Sequence, residues 1–147
     1  LIVPVGTYYT EILKHCGCTE YKKLINGGPM MGFSVPSAEL PVVKQTNALL
    51  AFDEKDAHRG EITSCIRCGR CVKNCPMRLM PAYIASFVQK DDMENAEKYG
   101  AMSCVECGTC SYNCPAQIPI VQYIRNAKAD IRAAAAKKRA EEAAKAK

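Results

Sequence analysis

The stretch Cys65-Ile-Arg-Cys68-Gly-Arg-Cys71-Val-Lys-Asn-Cys75-Pro76 returns 39 residues later as Cys104-Val-Glu-Cys107-Gly-Thr-Cys110-Ser-Tyr-Asn-Cys114-Pro115. Both copies read Cys-x2-Cys-x2-Cys-x3-Cys-Pro. A [4Fe–4S] cube needs four thiolates around a compact charged core. Three cysteines at two-residue steps fit one tight loop around it, and a distant cysteine closes the fourth corner. In doubled runs of this kind the fourth cysteine serves the other cube. The spacing therefore predicts one centre on Cys65, Cys68, Cys71 and Cys114, and a second on Cys104, Cys107, Cys110 and Cys75. The alternative is that each run closes its own centre.

This doubled run is the two-cluster ferredoxin signature. Zinc competes with it. Zinc favours paired Cys-x2-Cys knuckles, four sulfurs per ion, and does not need the third step or the Cys-Pro. The corresponding function of another class is a zinc-stabilised interaction module; a sensor with labile clusters is a further one. Disulfides fit less well, because dense Cys-x2-Cys runs without a secretory leader read as metal ligands. Gly69 and Gly108 follow the second cysteine of each run, where a residue without Cβ lets backbone amides approach the sulfurs or simply makes a turn. Pro76 and Pro115 fix φ just past the fourth cysteine. The first loop carries Arg67, Arg70 and Lys73; the second has Glu106 and Thr109 instead. Unequal charge predicts unequal potentials. No catalytic base, nucleophile or triad is expected.

The chain has 147 residues, room for one domain or two small ones, and a formal charge of +5. Two oxidised centres with their thiolates, at about −2 each, bring this to roughly +1. Residues 128–147 hold seven Lys or Arg against three Asp or Glu. The basic excess is thus a tail, and no nucleic-acid partner is expected. No apolar run approaches the ~18 residues of a membrane-spanning helix. The chain starts at Leu1, inside an apolar stretch and without methionine, which reads as a piece of a longer protein.

The expected fold class is α+β, in three segments. Residues 1–55 predict a small β-grasp-like module, incomplete at its start. Leu1–Val5 reads as a strand, and Thr7 as the cap of a helix with Tyr8, Ile12 and Leu13 inward and Cys16-Gly17 at its end. Tyr21–Ile25, Val42-Val43 and Asn47–Phe52 read as strands, with a turn-rich connection over Asn26–Gly32. Asp53–Gly60 is a polar linker. Residues 56–127 predict an α-helical ferredoxin domain. Its helices run from Pro81 to about Gln89, over Asp92–Tyr99 closed by Gly100, and from Pro119 onward with Ile120, Val121, Ile124 and Ile131 along one side. Residues 128–147 predict an Ala/Lys-rich helical tail that projects or frays. Cys16 and Cys18 read as packing residues rather than ligands. His15 and His58 read as ordinary surface or linker residues, and Met30, Met31, Met77 and Met80 as packing.

Asn26-Gly-Gly-Pro-Met-Met-Gly32, Pro41-Val-Val-Lys-Gln-Thr-Asn47 and Thr63-Ser-Cys-Ile-Arg-Cys-Gly-Arg-Cys71 together resemble the C subunit of the Rnf electron-transport complex. The Val5-Gly6-Thr7 start and the Ala/Lys-rich end resemble it too. The resemblance implies a one-electron relay through two [4Fe–4S] clusters within a ferredoxin:NAD oxidoreductase coupled to ion transport. It further implies a peripheral position on the cytoplasmic face of the membrane. The implied partners are other subunits of the complex, through which the membrane is contacted, and a ferredoxin or flavin redox partner. FMN and NAD are implied for the full-length protein, in a region before Leu1, with no residue of this chain assigned to them. The same architecture also resembles the cobalamin-reductase-like subunit of diol-utilising microcompartments, which would pass electrons to a corrin enzyme.

Overall fold

Helix α1 (Tyr9–His15) is the first regular element and buries Tyr9 and Leu13. A computed structural model describes residues 1–57 and 60–145, which divide into two units, Leu1–Gly60 and Glu61–Lys147. In the first unit, β1 (Lys23–Asn26), β2 (Phe33–Val35) and β3 (Leu49–Phe52) form an antiparallel sheet in the order β2-β1-β3. Leu24 stands opposite Val35 on one side and Ala51 on the other. Tyr9, Leu13, Leu24, Ala38 and Val42 make the core of this unit.

The structure departs from several local expectations. Leu1–Val5 forms no strand. Pro4 has no N–H to give to a ladder, and the segment instead leads into a pairing with the chain at 38–42. There Gly6 N–H donates to the Val42 carbonyl at 2.9 Å and Val42 N–H returns to Thr7 at 2.8 Å. That pairing also takes Val42-Val43 out of the sheet. Tyr8, not Thr7, occupies the cap position of α1 and makes no side-chain cap, so Tyr9 rather than Tyr8 turns inward. The Cys16-Gly17 stop holds, with Gly17 at φ 72°. β2 carries no legible strand pattern, because three residues leave too short an alternation. The polar stretch after β3 contains a helical turn, α2 (Glu54–Ala57), seeded by Asp53, whose carboxylate accepts the Asp56 N–H at 2.8 Å. His58 lies outside the described residues.

Every regular element among the described residues of the second unit is helical: α3 (Arg70–Lys73), α4 (Pro81–Val88), α5 (Met93–Lys98), a 3-10 turn (Ala101–Ser103), α6 (Thr109–Tyr112) and α7 (Ile120–Lys145). The punctuation works as expected. Pro81 sits in the first turn of α4, where its missing N–H is harmless. Asp92 caps α5, accepting the Asn95 N–H at 3.1 Å and its side-chain amide at 2.7 Å. Gly100, at φ 87°, closes that turn. The core gathers Ile84, Val88, Ala96, Ala101, Ile120, Ile124 and Ala127, so α4, α5 and α7 pack as one apolar layer beneath the two cysteine loops. α7 runs unbroken through residue 128, and Lys128 is buried. From Arg132 to Ala144 the helix is exposed. No helix among the described residues is long and apolar enough to cross a membrane.

Candidate metal centre

The two cysteine runs share a backbone as well as a sequence. Arg67 and Glu106, at matching positions, take φ 54° and 57°; Gly69 and Gly108 take 72° and 80°; Arg78 and Gln117 both take 54°. Left-handed residues interleaved with right-handed ones turn successive N–H groups toward one concave side, the form that holds anionic groups. For Arg67 and Glu106 this conformation carries a small strain, on the order of 1–2 kcal/mol each. The short helices α3 and α6 follow at the same offset. Asn74 and Asn113, just before the fourth cysteines, each donate a side-chain N–H to the carbonyl four residues back, at 2.9 and 3.0 Å. These asparagines were missed in the sequence, although the repeated Asn-Cys-Pro could have shown them. Thr63 N–H to the Ala116 carbonyl, 3.0 Å, ties the chain before the first run to the chain after the second.

An open apolar recess is lined by Cys104, Cys107 and Cys110 of the second run and by Cys75 of the first. Leu79, Val121 and Ile124 form part of its wall. Leu79 N–H donates to the Cys75 sulfur at 3.4 Å, and Glu106 N–H to the Cys104 sulfur at 3.3 Å. Cys107 donates to the Thr109 hydroxyl at 3.4 Å. Burial pushes the Cys110 thiol from its ordinary 9.0 up to about 11, and the nearby Cys104 and Cys107 act in the same sense. Burial likewise raises Cys104, against a hydrogen bond from Glu106 and the Lys128 charge.

On the other side, Cys71 is buried while Cys65 and Cys68 are exposed. Burial raises the Cys71 thiol, and hydrogen bonds from the Ala82 and Val72 backbone oppose the rise. Cys114 lies near enough for its charge to disfavour ionisation of Cys71. The recess thus brings Cys75, the fourth cysteine of the first run, beside three cysteines of the second. Among the described residues no three His, Cys, Asp or Glu side chains converge as a site for a single metal ion. Cys16 and Cys18 stand in the other unit, and Cys18 packs against its core.

The donor set fits an iron–sulfur centre: soft thiolates, an apolar wall and amides aimed at sulfur. Filling it must displace thiol protons that burial holds in place.

The second loop is also tied to α7. Glu106 accepts from Arg125 Nε at 3.0 Å and from Lys128 Nζ at 2.5 Å, and Lys128 reaches the Cys104 carbonyl at 2.9 Å. The hydrogen bond from Lys128, aided by the one from Arg125, holds the Glu106 carboxyl below the usual carboxylate range despite burial. In sequence Lys128 is one more tail cation, because nothing local distinguishes it from Lys137 or Lys138.

Residues 64–118 match the family model of the 4Fe-4S dicluster domain. The chain is 45% identical over 143 residues to the C subunit of the proton-translocating ferredoxin:NAD(+) oxidoreductase complex of Clostridium ljungdahlii, covering 95% of this chain and 31% of that protein. It is 48% identical over 130 residues to the C subunit of the ion-translocating oxidoreductase complex of Rhodobacter capsulatus, covering 87% and 25%. The C subunit of the Yersinia pestis ion-translocating oxidoreductase complex is 46% identical over 132 residues, covering 88% and 21%. The chain thus spans between about a fifth and a third of the length of these relatives.

Proposed function

Because the chain belongs with the C subunits of ion-translocating oxidoreductase complexes, aligned with their C-terminal part, we propose that it is the one-electron relay of such a complex, built around two [4Fe–4S] centres. One centre is held by Cys65, Cys68, Cys71 and Cys114, the other by Cys104, Cys107, Cys110 and Cys75. The observation that carries this reading is the recess where Cys75 meets Cys104, Cys107 and Cys110. The proximity of Cys71 to Cys114 supports the matching exchange. When bound, such a centre supplies one-electron chemistry without proton transfer or a covalent intermediate. The chain's own part is to ligate, to aim the amides of Leu79, Ala82 and Glu106 at sulfur, and to exclude water through Val121 and Ile124.

In this reading the complex is a ferredoxin:NAD oxidoreductase, and its flavin and nicotinamide sites belong to parts of the longer protein. The chain sits on the cytoplasmic face and meets the membrane through partner subunits. The relatives' place in ion-translocating complexes favours this over the cobalamin-reductase-like alternative. The first unit, a helix on a three-strand antiparallel sheet, supports the β-grasp-like assignment of residues 1–55. Residues 56–127 are the ferredoxin domain, and the Ala/Lys-rich stretch continues its last helix.

Anaerobic reconstitution tests the proposal. About eight irons and eight sulfides per chain are expected, and two zincs without sulfide would refute it. Cys75→Ala should disturb the paramagnetic signal of the second-run centre, and Cys114→Ala that of the first. Damage confined to each variant's own run would refute the exchange of fourth ligands.

A further inference from the structure

Glu106 lies between Cys104 and Cys107, and α7 reaches it with two cations. The Lys128 side chain is only 7% exposed and spans both the Glu106 carboxylate and the Cys104 carbonyl. A buried ion pair is a weak source of stability, since desolvation offsets much of its attraction. Its placement against the backbone of a candidate ligand is what distinguishes it.

The first run supplies the comparison. Arg67 is the 39-residue equivalent of Glu106 and has nearly the same left-handed backbone, yet it is exposed. One loop is thus flanked by a carboxylate held between two helix-borne cations. The other is flanked by the exposed cations Arg67, Arg70 and Lys73. The backbone of the two sites is repeated, and their charge environment is not.

We infer that Glu106 and Lys128 are positioning residues that set the potential of the second-run centre independently of the first. Lys128 fixes the loop through the Cys104 carbonyl. Its positive charge favours the state with one more electron, and the Glu106 carboxylate opposes it. This rests on the cluster reading proposed above.

The test is a redox titration of the whole 147-residue chain, loaded anaerobically with iron and sulfide and followed by electron paramagnetic resonance. Signals are assigned to runs with Cys71→Ser and Cys110→Ser. Lys128→Met should shift the second-run midpoint downward, and Glu106→Gln should shift it upward. Lys128→Arg, which keeps the charge, should leave it near the parent value, and the first-run midpoint should not move in any of them. Shifts of the same sign, equal shifts in both centres or no shift overturn the inference. Loss of the second centre from Lys128→Arg or Glu106→Gln overturns it too, leaving a packing role alone. A parent chain that takes up no iron and sulfide removes this inference together with the cluster reading. A loaded parent with unmoved midpoints in the variants removes this inference only.

Discussion

Truncating Ile124 to alanine tests whether α7 is the floor of the cysteine recess. Ile124 is fully buried, belongs to the second-unit core and lines the recess beside Cys75 and Cys110. The change removes three carbons, worth about 2.4 kcal/mol of transfer energy at about 0.8 kcal/mol each. The surrounding helices can close only partly over the gap, and buried isoleucine-to-alanine changes span about 2–5 kcal/mol. We expect about 3.5 kcal/mol, or about a 300-fold rise in the unfolded-to-folded ratio. Urea unfolding of the metal-free chain, followed by far-ultraviolet circular dichroism, reads mainly this unit because α3 to α7 hold most of the helix. Ile66→Ala is the control: Ile66 is 67% exposed and should stay within about 0.5 kcal/mol. A loss below about 1 kcal/mol for Ile124→Ala would mean that α7 is not packed as described, and the reasoning that seats the recess on it would fall.

Three further outcomes are expected. Gly32→Ala should destabilise the first unit by about 1–3 kcal/mol, because its Cβ would stand 2.5 Å from Ile25 Cγ2 and 2.6 Å from the Gly28 carbonyl oxygen; loss of amide protection in β1 checks it. In the metal-free chain, iodoacetamide should label exposed Cys65 and Cys68 well before Cys110. With its pKa at about 11 rather than 9.0, Cys110 at pH 9 should hold about fifty-fold less thiolate than an ordinary cysteine, and mass spectrometry across pH gives the rates. The Asp92 carboxyl is held below its usual value by Asn95. A lowered folded pKa means stabilisation present above the unfolded pKa, near 3.9, and lost as pH falls through the folded value. Amide protection in α5 should therefore stay level from neutrality to about pH 4 and drop below it, and Asp92→Asn should remove that drop.

Legibility followed the range of the interactions. The helices of the second unit were readable because Pro81, Asp92 and Gly100 act on their immediate neighbours. The sheet is less legible: Leu1–Val5 has the composition of a strand, but the pairing falls just after it, between Gly6-Thr7 and Val42. β2 went unseen because its three residues acquire meaning only opposite Leu24–Asn26. Tyr8 and Tyr9 are adjacent, and only packing decides which turns inward.

By itself the order of residues determined where the candidate ligands stand along the chain, since two-residue cysteine steps, turn glycines and helix stops are settled within a few bonds. Folding decided that Cys75 faces Cys104, Cys107 and Cys110 across 29 residues or more, and that Lys128 serves Glu106 rather than the solvent. Both depend on burying Ile84, Ile120 and Ile124 between α4 and α7. That apolar layer draws together groups whose separation along the chain carries no mark of their meeting.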